Sequence, residues 1–254
     1  LLFILGACSM RVEASEVYVR GQSGSWYLEV DGKPFYIKGV GCGLAKGKNG
    51  VDYLKMAQGL GANAVRTWGT DQGTKDYLDC AHHYGLKVAA GIWLNFVADK
   101  GDFSYLYNTD YKKAKREETL RYIENFKKHP AILIWIVGNE AIFLTKNKEE
   151  KIALCSFLED LVKEIHKIDP DHPVVYASAG TNDLKYLKDY VPSLDIVGIN
   201  EYGSIRIAHG SWEHLGFDKP YMFTEYGPYL SIDRPKDANG CYIKISNEKK
   251  TKKY

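Results

Sequence analysis

The run from His129 to Ala141, HPAILIWIVGNEA, constrains this chain more than any other stretch. A helix-ending His-Pro leads into Ile, Leu and Val without a polar break, and the run stops on Gly138-Asn139-Glu140. A continuous apolar stretch of this kind between turn signals predicts a strand buried on both faces, as in a parallel sheet covered by helices. Glu140 then stands where the strand emerges, held on a rigid element at the rim where barrel enzymes keep their chemistry. A second reading stands beside it: an acid that opens the next helix and suits its dipole.

The segment PYMFTEYG, from Pro220 to Gly227, repeats the pattern of a short apolar strand that ends on a glutamate and a glycine. The chain between Glu140 and Glu225 is long enough for two further βα units. Two carboxylates at the ends of separate strands of one barrel face each other across its mouth, which is the arrangement that glycoside hydrolysis needs.

The remaining chain supplies the units such a barrel requires. Helices are expected over 51–60, 76–84, 111–128 and 148–168, with Gly61 and Gly85 closing the first two, and shorter ones over 181–190 and near Trp212. Strands are expected over 35–41, 63–68, 86–93, 132–137, 173–177, 194–199 and 221–224. Strands alternating with helices in this way imply βαβ units and a parallel sheet. The fold class is therefore α/β, a TIM (β/α)8 barrel, and 254 residues suit one such domain of ~250 residues. Before it, residues 16–34 read as a β-hairpin lead-in around Asp31-Gly32, covering the barrel floor. The barrel domain itself is assigned to 35–254. After Glu225 only a polar loop, a short strand over 241–245 and a Lys-rich tail remain, so an eighth unit truncated at the C-terminus is expected. The charges of the 148–168 helix (Glu149, Glu150, Lys151, Glu159, Asp160, Lys163 and Glu164) are read as a solvated face, and the loop 94–110 as one wall of the substrate site.

Composition narrows the partners. The net charge is only +2 and the basic residues are dispersed apart from the tail, so nothing calls for nucleic acid or a membrane surface. Five cysteines without CxxC spacing argue against zinc and a disulfide framework. The glycine-rich stretch 41–50 fails as a phosphate loop, since Cys42 stands where the first glycine belongs. No metal or cofactor is expected: His82-His83 lies mid-helix, and His129 and His172 each precede a proline at an element boundary. Residues 1–8 are different, because LLFILGAC resembles the end of a signal peptide running into a bacterial lipobox. A lipid on Cys8 is one reading, with export to the cell envelope as an anchored lipoprotein, or otherwise to the periplasm or medium. A stray apolar N-terminus is the other.

Four motifs, NAVRTWG at 63–69, IWIVGNE at 134–140, DIVGINEYG at 195–203 and FTEYG at 223–227, together resemble the catalytic barrel of glycoside hydrolase clan A. They look most like family 2, the β-galactosidase, β-glucuronidase and β-mannosidase group, over 32–227. The resemblance implies that Glu140 is the general acid/base and Glu225 the nucleophile. It implies that Asn139 bonds the sugar 2-hydroxyl, that Arg66 helps keep the nucleophile ionised, and that Tyr202, with Asn200 beside it, bonds the nucleophile. Trp68, Asp71, Trp93 and Asn95 occupy strand-end positions that suit the sugar pocket. The chain departs from the family in leading almost directly into the barrel without β-sandwich domains, and in having no Trp after Trp212. The expected reaction is retaining hydrolysis of β-linked oligo- or polysaccharides by two glutamates, with transglycosylation through the same intermediate as an alternative. A surface barrel that binds glycans without cleaving them, and a metal-dependent barrel hydrolase, are the rival readings.

Overall fold

The computed structural model describes residues 14–98, 103–202 and 205–227. Cys8 and the strand expected over 241–245 lie outside them. The described chain opens with a small antiparallel sheet of β1 (Val17–Arg20), β2 (Tyr27–Val30) and β3 (Lys33–Phe35) in sequential order. Its tight turn is Asp31-Gly32, both with positive φ, the conformation that matches the twist of a two-residue hairpin.

Seven parallel strands then hydrogen-bond in unbroken chain order: β4 (Gly39–Gly41), β5 (Ala64–Arg66), β6 (Lys87–Ile92), β7 (Ile132–Asn139), β8 (Val174–Ala179), β9 (Ile196–Tyr202) and β10 (Tyr221–Gly227). Helices connect them: α1 (Tyr53–Gly59), α2 (Thr74–His83), α3 (Thr109–Phe126), the short α4 (Ala141–Leu144) before α5 (Lys148–Ile168), α6 (Leu184–Tyr190) and α7 (Ile205–Leu215). This is the TIM-barrel order, with the strand C-termini gathered at one rim. Asp52 caps α1 by accepting from the Lys55 amide, and Gly61, at φ 82°, turns the chain out of it.

Alternation along the strands separates two apolar layers. Val65, Val88, Trp135, Val137 and Val197 face outward and pack with the helices. Ala64, Ala89, Ile134, Ile136, Val175, Ala177 and Ile196 point inward and cluster with Val17, Leu28 and Val30 of the small sheet. The small sheet thus packs its apolar side chains against the inner layer. It is tied beneath β8 by the Val17 amide and the Tyr18 hydroxyl, which donate to the carbonyl and carboxylate of Asp171 at 2.8 and 3.1 Å. At this same end Asp169 accepts from the Trp135 indole and contacts the His172 ring, all three buried. His172 therefore serves the barrel's closed end.

Three expectations need correction. Phe35 belongs to the small sheet, and the first barrel strand is only Gly39–Gly41, because nothing in the alternation of 35–41 marks the change of sheet. The helix that Glu140 opens is a separate one of four residues, α4, whereas the next helix was expected only from 148. Nor is the charged side of α5 uniformly solvated, since Glu150 and Glu159 are buried. Glu159 accepts from the amide and hydroxyl of Ser193. Glu150 accepts from the Ser104 hydroxyl and from the amides of Tyr105 and Leu106, the latter two at 2.7 and 3.3 Å, and so anchors the loop after β6. Removing that acceptor leaves buried donors unpaired. Glu150→Ala is expected to lower unfolding free energy in urea by about 2–3 kcal/mol, and a loss within error of zero contradicts the anchoring role.

Candidate active site

The side chains at the rim are aimed by irregularities in the strands. On β10, Phe223 pairs with Ile199 but Glu225 pairs with Asn200, so Thr224 is an extra residue in the ladder. Regular alternation sends neighbours to opposite faces, whereas this bulge lets Thr224 and Glu225 both engage the mouth. On β7 the register shifts between Ile136 and Asn139, and the Asn139 side chain joins the same cluster. Gly138 has φ 88°, and a Cβ there would lie 2.9 Å from the Tyr176 ring. Glu140 follows with φ 55° and ψ 11°, a left-handed conformation that a non-glycine residue adopts at some expense in energy. Its amide donates to the Ala177 carbonyl at 2.8 Å, which holds the turn in place.

Arg66 lies at the centre. Its Nη1 donates to Glu225 Oε1 at 2.9 Å, to the Thr224 carbonyl at 2.8 Å and to Asn200 Oδ1 at 3.3 Å, while Nη2 donates to Asn139 Oδ1 at 2.7 Å. Burial works against its charge and pulls its pKa below the usual guanidinium value, with the Glu225 carboxylate as the main opposing influence.

Glu225 collects two further donors. The Trp68 indole N–H reaches Oε1 at 2.8 Å, and the Tyr202 hydroxyl reaches Oε2 at 2.5 Å. Burial, then the hydrogen bond to Glu225, pushes the Tyr202 phenol upward, so it stays a donor at physiological pH. With both oxygens accepting, Glu225 has the hydrogen bonding of a carboxylate. Glu140 is served differently: Asn200 Nδ2 donates to its Oε1 at 2.8 Å, and among the described residues no donor reaches its other oxygen. Thr224 Oγ1 donates to Asn200 Oδ1 at 2.7 Å and fixes which way that amide faces.

Of the residues singled out in the sequence, Arg66, Trp68, Asn139, Glu140, Asn200, Tyr202 and Glu225 therefore converge. Trp68 does so as a hydrogen-bond donor to Glu225, beyond lining a pocket. A Cβ on Gly41 would lie 2.9 Å from its ring, so glycine there makes room for the indole. Asp71 does not join the cluster. Its carboxylate accepts from the Gly73 amide at 2.8 Å in the turn that starts α2, and it borders a cavity of ≈ 390 Å³ shared with the outward-facing Val88 and Tyr77. Trp93 is 41% exposed and Asn95 is exposed, and no hydrogen bond joins either side chain to the cluster. Asn95 is held through its backbone, by Tyr111 and Tyr105. Sequence reasoning missed Thr224, because period-two alternation turns it away and nothing in FTEYG announces a bulge.

A parallel α/β barrel with two glutamates among buried donors at its C-terminal rim defines an enzyme scaffold whose site is built on carboxylates. The chain belongs to the glycosyl hydrolases of family 2, whose TIM barrel domain matches residues 25–231. A β-glucuronidase of Streptococcus agalactiae serotype V is 26% identical over 234 residues, covering 77% of this chain and 37% of its own length. A β-glucuronidase of Sus scrofa is 26% identical over 235 residues, covering 82% of this chain and 33% of its own. The chain thus spans well under half the length of these relatives. Among solved structures, a family 2 β-galacturonidase of Eisenbergiella tayi bound to galacturonate superposes with a TM-score of 0.69 at 19% identity, covering 94% of this chain and 42% of that one. That likeness shows the fold.

Removing the cation would leave the Glu225 carboxylate in a largely buried position without its counter-charge. Arg66→Met is expected to destabilise the fold by about 3 kcal/mol in urea, and an unchanged unfolding midpoint contradicts the central place given to Arg66.

Proposed function

We propose that this chain is the catalytic barrel of a β-glycoside hydrolase that works by retaining double displacement, with Glu225 as nucleophile and Glu140 as general acid and base. The observation that carries the reading is the unequal surroundings of the two glutamates. Arg66, Trp68 and Tyr202 all donate to Glu225, which suits the group that must attack as an anion. Glu140 accepts one bond from Asn200 and keeps an oxygen without a donor among the described residues, which suits a group that passes a proton to and fro.

In the first step Glu225 attacks the anomeric carbon while Glu140 gives its proton to the leaving glycosidic oxygen. In the second, Glu140 takes a proton from water, the water oxygen displaces the Glu225 carboxylate, and the sugar leaves with its original anomeric configuration. Asn139 Oδ1 is occupied by Arg66 and Asn200, which leaves its amide N–H groups to bond a sugar hydroxyl beside the reacting carbon. The substrate class is a β-linked oligo- or polysaccharide. Because the relatives above are named β-glucuronidases, aryl β-glucuronides are the first sugars to test. The LGAC stretch supports a further proposal, export with a lipid on Cys8. Palmitate labelling that is lost in Cys8→Ser supports it, and a chain that takes up no label refutes it.

Glu225→Gln is expected to lower kcat/KM on a turned-over aryl β-glycoside by about 10⁴-fold or more. Proton NMR of the first-formed product is expected to show the β-anomer. A first-formed α-anomer rules out the double displacement, and near-normal turnover by the Gln variant rules out Glu225 as nucleophile.

A further inference from the structure

The turn that carries Glu140 is strained, and what holds it stands behind the mouth. Gly138 and Glu140 both have positive φ, 88° and 55°, and such a backbone persists where its surroundings impose it. Two consecutive residues of β8 do so here. The Ala177 carbonyl accepts from the Glu140 amide at 2.8 Å. Tyr176, the residue before it, is fully buried and belongs to the outward-facing apolar layer, with Val137 and Ile142. Its ring lies against Gly138: a Cβ on that glycine would be 2.9 Å from Cε2 and 3.1 Å from Cδ2. Its hydroxyl reaches beyond the turn and accepts from the Ile142 amide at 2.8 Å.

That hydroxyl meets a need that α4 does not meet for itself. The first amides of a helix have no partner within it, and an N-cap side chain ordinarily takes one of them. The N-cap residue of α4 is Glu140, whose side chain makes no such bond and accepts instead from Asn200 Nδ2. Ile142 is fully buried, so water does not serve its amide. With the Tyr176 hydroxyl as acceptor, Glu140 is spared the capping duty and its carboxyl stands at the mouth.

We propose that Tyr176 is a positioning residue for Glu140: its ring and its hydroxyl hold the chain on both sides of that glutamate, at Gly138 and at Ile142, and so fix where the carboxyl gives and takes its proton. The proposal rests on Glu140 being the general acid and base of the preceding section. Tyr176 faces away from the mouth, so its influence is confined to the steps that need Glu140.

The test compares the full chain with its Tyr176→Phe variant, which keeps the ring and deletes the acceptor. Two probes divide the chemistry, because phenol needs a proton in order to leave and 2,4-dinitrophenol does not. On phenyl β-D-glucuronide, kcat/KM is expected to fall about tenfold or more in the variant, the loss that a misplaced acid gives. On 2,4-dinitrophenyl β-D-glucuronide, kcat/KM is expected to stay within about twofold. There kcat and KM fall together, because the glycosyl-enzyme waits on the misplaced base. An equal fall of kcat/KM on both probes is what a merely structural residue gives and overturns the proposal, as does no fall on either. Glu140→Ala, run alongside, separates the two claims, since it must give the same pattern to a greater depth. If it does not, or if the wild type turns over neither probe, the functional reading fails and takes the proposal with it. If it does and Tyr176→Phe does not, the positioning role alone is overturned.

Amide hydrogen exchange of the wild type gives a check that needs no variant. The Ile142 amide is expected to exchange as slowly as that of Leu144, which donates to the Glu140 carbonyl at 3.0 Å, and exchange as fast as an exposed amide overturns the hold on α4. A Tyr176→Phe chain that does not unfold cooperatively in urea makes the hydroxyl a condition of folding and likewise overturns the positioning role.

Discussion

The ion pair between Arg66 and Glu225, 2.9 Å long and shielded on nearly all sides, is the interaction on which the rim of this barrel depends. One guanidinium binds side chains or backbone from β7, β9 and β10 while itself standing on β5, so it ties together four strands that are distant in sequence. A buried charge is tolerable only when it is paired and well hydrogen-bonded, and Asn139, Asn200 and the Thr224 carbonyl supply bonds to the two terminal nitrogens, while the buried Nε has no partner among the described residues. The same network fixes both glutamates. Asn200 receives from Arg66 through its oxygen and donates to Glu140 through its nitrogen, so the surroundings of one glutamate are mechanically linked to those of the other.

This economy requires the backbone to leave regular geometry. A strict β10 would turn either Thr224 or Glu225 away from the mouth, and a strict β7 would misplace Asn139. The shifts that aim the rim side chains and the left-handed Glu140 sit at the C-terminal ends of β7 and β10, while a further shift at the start of β7 brings Leu133 and Ile134 both into the inner apolar layer. The barrel floor, closed by Val17, Leu28 and Val30, provides the rigid base against which such strain can be held.

Much of this was legible in the sequence, for physical reasons. The helix over Lys148–Ile168 has a strong period and clear stop signals, and its predicted bounds coincide with the observed ones. The apolar run ending in GNE reads as a doubly buried strand because no polar residue interrupts it, and FTEYG repeats its logic. What escaped depends on tertiary contacts. Glu150 and Glu159 look like surface charges because the amides and hydroxyls they bind come from other segments. Asp71 sits at a strand end like its neighbours, yet a local turn takes its carboxylate. Trp68 belonged to the expected pocket, but only the folded chain shows its N–H on Glu225. Thr224 gave no signal, since its place depends on a register shift.

The central claim is that Glu225 attacks the sugar. Its most direct test is intact-mass spectrometry of the full chain after incubation with activated 2-deoxy-2-fluoro β-glycosides, beginning with the glucuronide, followed by peptide mapping. The fluorine slows breakdown of the glycosyl-enzyme, so the account predicts a gain of one sugar per chain, carried on the peptide that contains Glu225. An adduct on another residue, or no adduct from a chain that hydrolyses the parent glycoside, would contradict it.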